Sequence, residues 1–169
     1  PFDDTDALAE LVASCDVITY EFENVPVEAL LRIADRVPVF PPPEALRSAQ
    51  DRLAEKRLFD ELQIPLPRYC AVDSLDDLRA AVESIGLPLV LKTRRFGYDG
   101  KGQYVLKTDN DIHDAWRELG GAALIAEEWL NFDYEVSAIG VRSSGGESVI
   151  YPLTHNEHAA GILRRSRAP

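Results

Sequence analysis

The chain has 169 residues, 46% of them apolar, and a formal charge of -11. That size and apolar content suit one large or two small packed domains. The acidic balance excludes a general nucleic-acid binder, which needs a basic face, and no apolar run approaches membrane-spanning length. Residues 5–14 place Leu8, Leu11 and Val12 at helical spacing, with Thr5 or Asp6 able to cap. Val17-Ile-Thr-Tyr20 reads as a short strand. The polar stretch Glu21-Phe-Glu-Asn24 follows its C-terminal end, where open α/β sheets bind ligands. It reads equally well as a helix-leading turn with Asn24 as a cap near Pro26. A helix over 27–36 and a strand over 37–40 complete a βαβ unit, which implies a parallel pair.

Pro41-Pro-Pro43 is the best boundary in the chain. Residues 44–62 read as one helix, on which Arg52 and Lys56 share a face. A solvated, salt-bridged surface is the commoner fate of such a face. After Pro65 and Pro67, a strand is expected over 69–72, and Ser74 caps a helix running to residue 85. Residues 87–91 read as a buried strand and 104–106 as a second one. Between them lie Gly97, Gly100 and Gly102, with Lys92 and Lys101 on either side. Such glycines let the backbone turn tightly and approach a ligand, and free N–H groups beside fixed ammonium groups suit phosphate oxygens. One reading is a clamp over a nucleoside triphosphate; the other is a hairpin with a solvated basic tip. No Gly-Lys-Ser/Thr opens a helix here, and a strand, not a helix, follows the loop. Lys92, Arg94, Arg95 and Lys101 form a basic spot on an acidic body, which suits a small anion.

A capped helix is expected over 109–119, then apolar 124–126 running into Glu127-Glu128-Trp129-Leu130. Residues 134–142 read as a strand, Gly145-Gly146 as a hairpin turn and 148–153 as the returning strand. Thr154-His-Asn-Glu-His158 then gathers polar side chains after a strand end. Cys15 and Cys70 stand far apart with no CxxC, so neither a disulfide nor a zinc site is expected, and a reducing cytoplasm is the expected compartment. The sequence starts at Pro1 and contains no methionine, so it is expected to be a piece of a longer chain.

Several stretches carry a family resemblance. They are Thr19-Tyr-Glu-Phe-Glu-Asn-Val-Pro26, Gln50-Asp-Arg52 with Lys56, Gly97-Tyr-Asp-Gly-Lys-Gly-Gln103, Asn131-Phe132 with Glu135-Val-Ser137, and Tyr151-Pro-Leu-Thr-His-Asn156 with His158 and Gly161-Ile-Leu163. On these the chain resembles the ATP-grasp superfamily and, within it, the 5-(carboxyamino)imidazole ribonucleotide synthases. The glycine loop alone points only to the superfamily; the first and last stretches point to that branch.

The resemblance implies a mixed α/β and α+β fold. Residues 1–43 would be the end of a Rossmann-like pre-ATP-grasp domain. Residues 44–169 would be an incomplete ATP-grasp domain, with 73–128 its small lid-bearing part. It implies ATP contacts from Arg52, from Lys92 on the α/β-phosphates, and from the phosphate-covering loop of Gly97, Tyr98, Asp99, Gly100, Lys101, Gly102 and Gln103. Glu127, Glu128, Trp129 and Leu130 would read adenine, Glu135 the ribose hydroxyls, and His158 would stand on the nucleotide side. Asp99 and Lys101 would be the catalytic pair facing bicarbonate and the imidazole substrate; many relatives have arginine at the second position. The implied chemistry is ATP-dependent carboxylation of 5-aminoimidazole ribonucleotide through carboxyphosphate. The loop would act as a lid that keeps water from that intermediate. Mg²⁺ would be held by acidic residues outside this stretch, so little turnover is expected of these residues alone. The partners implied are small molecules and, for a complete protein, a second copy in a homodimer. Another ATP-grasp ligase with a different acceptor, or a non-catalytic nucleotide-binding module, remain the alternatives.

Overall fold

The computed structural model describes residues 2–97, 101–159 and 161–169. Helix α1 spans Thr5–Ser14. Its cap is Asp4, one residue earlier than expected, because that carboxylate accepts from the amides of both Asp6 and Ala7, at 3.1 and 3.0 Å. Strands β1 (Ile18–Thr19) and β2 (Val39–Phe40) pair in parallel, with helix α2 (Val27–Ala34) between them in sequence. Pro26 stands at the α2 cap with no side-chain bond, so Asn24 does not cap it. Ile18, Val27, Leu30, Ile33, Val39 and Leu46 form the core of this unit.

The single helix expected over 44–62 is two. Helix α3 is Pro43–Ala49 and helix α4 is Arg52–Glu61. Asp51 makes the break: its extended backbone starts a new helix and its carboxylate caps the amides of Leu53 and Ala54 at 2.9 and 3.1 Å.

Next come β3 (Tyr69–Val72), α5 (Leu75–Ile85), β4 (Leu89–Thr93), β5 (Gln103–Leu106), α6 (Asp111–Leu119) and β6 (Leu124–Glu128). Ser74 caps α5 by accepting from the Asp77 amide. Asn110 precedes α6 without a side-chain cap; instead Asp111 reaches back to accept from the amides of Lys107 and Thr108, both at 2.8 Å. The strands form an antiparallel sheet in the order β3-β6-β4-β5. Strand alternation divides it into two faces. Leu89, Leu91, Leu124 and Ala126 join Leu78, Ile85, Ile112 and Ala115 of α5 and α6 in the second core. Lys92 and Glu127 therefore fall on the opposite face. There, Val90 pairs with Glu127 and Lys92 with Ile125, so Lys92 and Glu127 are diagonal neighbours within reach of long side chains.

Strands β7 (Glu135–Ser137), β10 (Thr154–Ala159) and β11 (Ile162–Arg167) make a third sheet, in the order β11-β10-β7. Strands β8 (Gly140–Arg142) and β9 (Ser148–Ile150) form a separate hairpin. The expected strand over 134–142 is thus two, because its backbone exchanges β10 for β9 as partner between Ser137 and Gly140. Likewise Thr154 to His158 do not follow a strand end but lie within β10, where His155 and Asn156 are paired on both sides. No described helix is long and apolar enough to cross a membrane.

Candidate functional site

The sheet face opposite the second core carries a small ion cluster. Lys92 Nζ donates to Glu127 Oε2 at 2.9 Å, and Lys56 Nζ lies 3.4 Å from the same oxygen. Glu127 is buried, the one charged residue so buried among those described. A buried carboxylate needs partners, and two ammonium groups supply them. Lys56 reaches the cluster from α4, so the face it shares with Arg52 packs against the sheet and is not a solvated surface.

Arg52 sits at the start of α4 and ties that helix to the glycine hairpin. Its amide donates to the Arg94 carbonyl at 3.0 Å, and its guanidinium to the Thr93 carbonyl at 3.1 Å. A Cβ at Gly97 would lie 3.1 Å from that guanidinium, and one at Gly102 would lie 2.7 Å from Thr93 Oγ1. Gly97 and Gly102 are thus the sides of a hairpin that packs closely on Arg52 and Thr93. Gln103 opens β5 opposite Lys92. Lys101 is exposed at the hairpin. The expected site residues Tyr98, Asp99 and Gly100 lie outside the described residues. The basic spot is largely engaged: Arg94 bonds Asp73 at 2.9 Å and the Leu124 carbonyl at 2.8 Å, and Arg95 bonds Gln50 at 2.7 Å. Among the described residues, Thr93 Oγ1 and Arg95 Nε are buried without a hydrogen-bond partner.

Glu127 and Glu128 face opposite ways, as neighbours on a strand must. Glu128 accepts from the Arg68 amide at 3.1 Å and from its guanidinium at 3.0 Å. The side-chain bond from Arg68 holds its carboxyl below the usual range. Trp129 and Leu130 are exposed, and the Trp129 amide donates to the Pro88 carbonyl. Glu135 on β7 and His158 on β10 meet at 2.7 Å between Oε2 and Nδ1. Among the described residues, no hydrogen bond or ion pair joins this second pair to the Lys92–Glu127 cluster.

A cavity of about 470 Å³ opens beside Arg52 and Gly97, walled by Glu21, Glu23 and Asn24 on one side and Gln50 and Glu55 on the other. The polar turn after β1 therefore lines this cavity. Gln50 fixes the turn: its amide donates to the carbonyls of Glu23 and Val25 at 2.8 and 3.1 Å, while its oxygen takes Arg95. Burial pushes the Glu55 carboxyl up from its ordinary value, against the pull of Lys56 and Arg52. The sequence reading did not assign Gln50, Glu55 or Arg68. Each carries only a common polar side chain, and its use depends on partners distant in sequence. Among the described residues, no group of three or more His, Cys, Asp or Glu is placed to hold a metal ion.

Residues 57–169 match the ATP-grasp domain and residues 1–50 the ribonucleotide synthetase preATP-grasp domain. The N5-carboxyaminoimidazole ribonucleotide synthase of Pseudomonas aeruginosa is 47% identical over 99% of this chain and 46% of its own length. A solved ADP complex of an N5-carboxyaminoimidazole ribonucleotide synthetase superposes with a TM-score of 0.93 at 35% identity, covering 98% of this chain and 44% of that one. The Aspergillus clavatus N5-carboxyaminoimidazole synthase, solved with ADP and 5-aminoimidazole ribonucleotide, gives a TM-score of 0.84 at 27% identity over 96% of this chain and 42% of its own. The chain spans about half the length of such relatives. The ATP-grasp match covers more than half of the chain, including the strands that carry Lys92, Glu127 and the glycine hairpin: this chain belongs to the ATP-grasp family.

Proposed function

We propose that the chain is the ATP-binding part of an N5-carboxyaminoimidazole ribonucleotide synthase. Such an enzyme uses ATP and bicarbonate to carboxylate the 5-amino group of 5-aminoimidazole ribonucleotide in purine biosynthesis. The observation that carries this reading is the Lys56–Glu127–Lys92 cluster beside a close-packed glycine hairpin. It holds two cations on one carboxylate, and so has a net positive charge ready for an anion. Lys92 would take the α/β-phosphates and Arg52, at the base of the hairpin, would add a planar donor. Fixed cations of this kind offset the charge that builds on the transferred phosphoryl group. Glu127 to Leu130 would meet the adenine, and the Glu135–His158 pair the ribose.

In the first step ATP phosphorylates bicarbonate and leaves as ADP. The carboxyphosphate, or CO₂ released from it, then takes the 5-amino group, and phosphate departs. Asp99 and Lys101 are the residues proposed to face these two substrates. The cavity of about 470 Å³ beside Arg52 and Gly97 supports a place for 5-aminoimidazole ribonucleotide. Its Glu21 and Glu23 rim can accept from ribose hydroxyls or the exocyclic amine. Mg²⁺ and a homodimer belong to the same reading of the complete protein.

Calorimetric titration tests the two subsites separately. Glu23→Ala should abolish binding of 5-aminoimidazole ribonucleotide while leaving ADP affinity within twofold. Unchanged binding of the ribonucleotide would contradict this assignment of the cavity.

A further inference from the structure

The Glu127 carboxylate has to lose one of its two cations if Lys92 is to serve a phosphate. Its side chain is only 9% exposed, and Lys56 beside it only 13%, whereas Lys92 is 25% exposed. The more exposed lysine is thus the one on the hairpin strand, and the more buried one comes from α4. Lys56 is also held from behind. Its ammonium stands 5.9 Å from the Tyr69 ring, and Tyr69 lies directly across the strand pair from Glu127. The Tyr69 hydroxyl is in turn fixed by donation to the Asp60 carboxylate. Lys56 is therefore held between the Glu127 carboxylate and the Tyr69 ring.

We propose that Lys56 is a positioning residue that releases Lys92 to the nucleotide. In the structure Lys92 and Lys56 share Glu127 Oε2. When phosphate oxygens arrive, Lys92 exchanges the carboxylate for them, and Lys56 stays behind as the sole counterion. Without Lys56, the same movement would leave a buried carboxylate unpaired, so Lys92 would be held on Glu127 and the phosphates would have to compete for it. The inference rests on the nucleotide-site reading above.

Calorimetric titration of the chain with ADP tests it, with thermal melts to confirm folding of every variant. Lys56→Met should weaken ADP binding at least tenfold, and Lys56→Arg, which keeps the charge, should bind within threefold of wild type. Lys56→Gln is the second neutral variant should Met not fold, with the same expected loss. Removing the trap should remove the need for Lys56: in the Glu127→Gln background, Lys56→Met should change ADP affinity less than twofold. A purely structural role for Lys56 would lower the melting temperature without this dependence on Glu127. Neutral variants that bind within twofold of wild type overturn the proposal alone. The same loss in both backgrounds also overturns it. A wild-type chain that takes up no ADP overturns the nucleotide-site reading, and the proposal with it.

Discussion

Gly102 has a φ of +70°, and a Cβ built on it would lie 2.7 Å from Thr93 Oγ1 and 3.4 Å from Thr93 Cγ2. Alanine there meets two separate penalties. A left-handed backbone costs a residue with a Cβ about 1–2 kcal/mol. Overpacking costs about 1–3 kcal/mol more, because the short β-branched Thr93 cannot swing aside without leaving its rotamer. The strands cannot part to relieve the contact, since the Thr93 amide donates to the Gly102 carbonyl at 2.8 Å. Gly102→Ala should therefore destabilise the chain by about 2–5 kcal/mol. At about 2–4 °C per kcal/mol for a chain of this length, the melting temperature should fall by ~4–20 °C. Thermal unfolding followed by far-UV circular dichroism measures it. In a Thr93→Ala chain the steric part vanishes, and the same change should cost only the backbone part, about 1–2 kcal/mol. A Gly102→Ala variant within about 0.5 kcal/mol of wild type would refute the packing argument, since that is the size of an ordinary surface change. An undiminished penalty beside Thr93→Ala would refute it equally.

Three further expectations follow from single residues. Gly86 ends α5 at φ +89° with nothing within 4 Å of a Cβ, so Gly86→Ala should destabilise through backbone strain alone, by about 1–3 kcal/mol in a urea titration. Gln50→Ala removes the bonds to the Glu23 and Val25 carbonyls and to Arg95; it should speed amide exchange over residues 22–26, and unchanged exchange there would count against Gln50 as the fastener of that turn. The amides of Lys107 and Thr108 hold Asp111, and the Ser74 hydroxyl and Asp73 amide hold Asp77, below the ordinary value of 3.8. Because their folded-state values are depressed, the stability they supply is complete above about pH 4 and is lost as pH falls through the depressed range. Unfolding free energy measured from pH 7 to pH 2 should fall less steeply in Asp111→Asn, and an unchanged slope would contradict this.

Local signals were legible where a local cause decides the structure. Ser74 and the apolar spacing after it placed α5, and the βαβ unit placed the parallel pair of β1 and β2. The glycines between two apolar runs placed the β4–β5 hairpin. The break at Asp51 has a local cause, its cap on Leu53 and Ala54, which the run of good helix formers around it masks. The other features that escaped are set by distant partners. The Lys56–Glu127–Lys92 cluster joins residues from a helix and two strands, and only the register of β4 on β6 brings Lys92 diagonal to Glu127. The same register sends Glu128 away to Arg68. The division of 134–142 into two strands depends on which later strand each half meets, and a single alternating pattern cannot express that.

The central claim is that the face bearing Lys92 and Glu127 binds a nucleotide, and titrating the chain and its Lys92→Met variant with ADP by calorimetry tests it most directly. The account predicts saturable one-to-one binding by wild type, and an affinity at least thirtyfold weaker in a Lys92→Met chain that still melts cooperatively. Equal binding by the two, or none by a folded wild type, would contradict it.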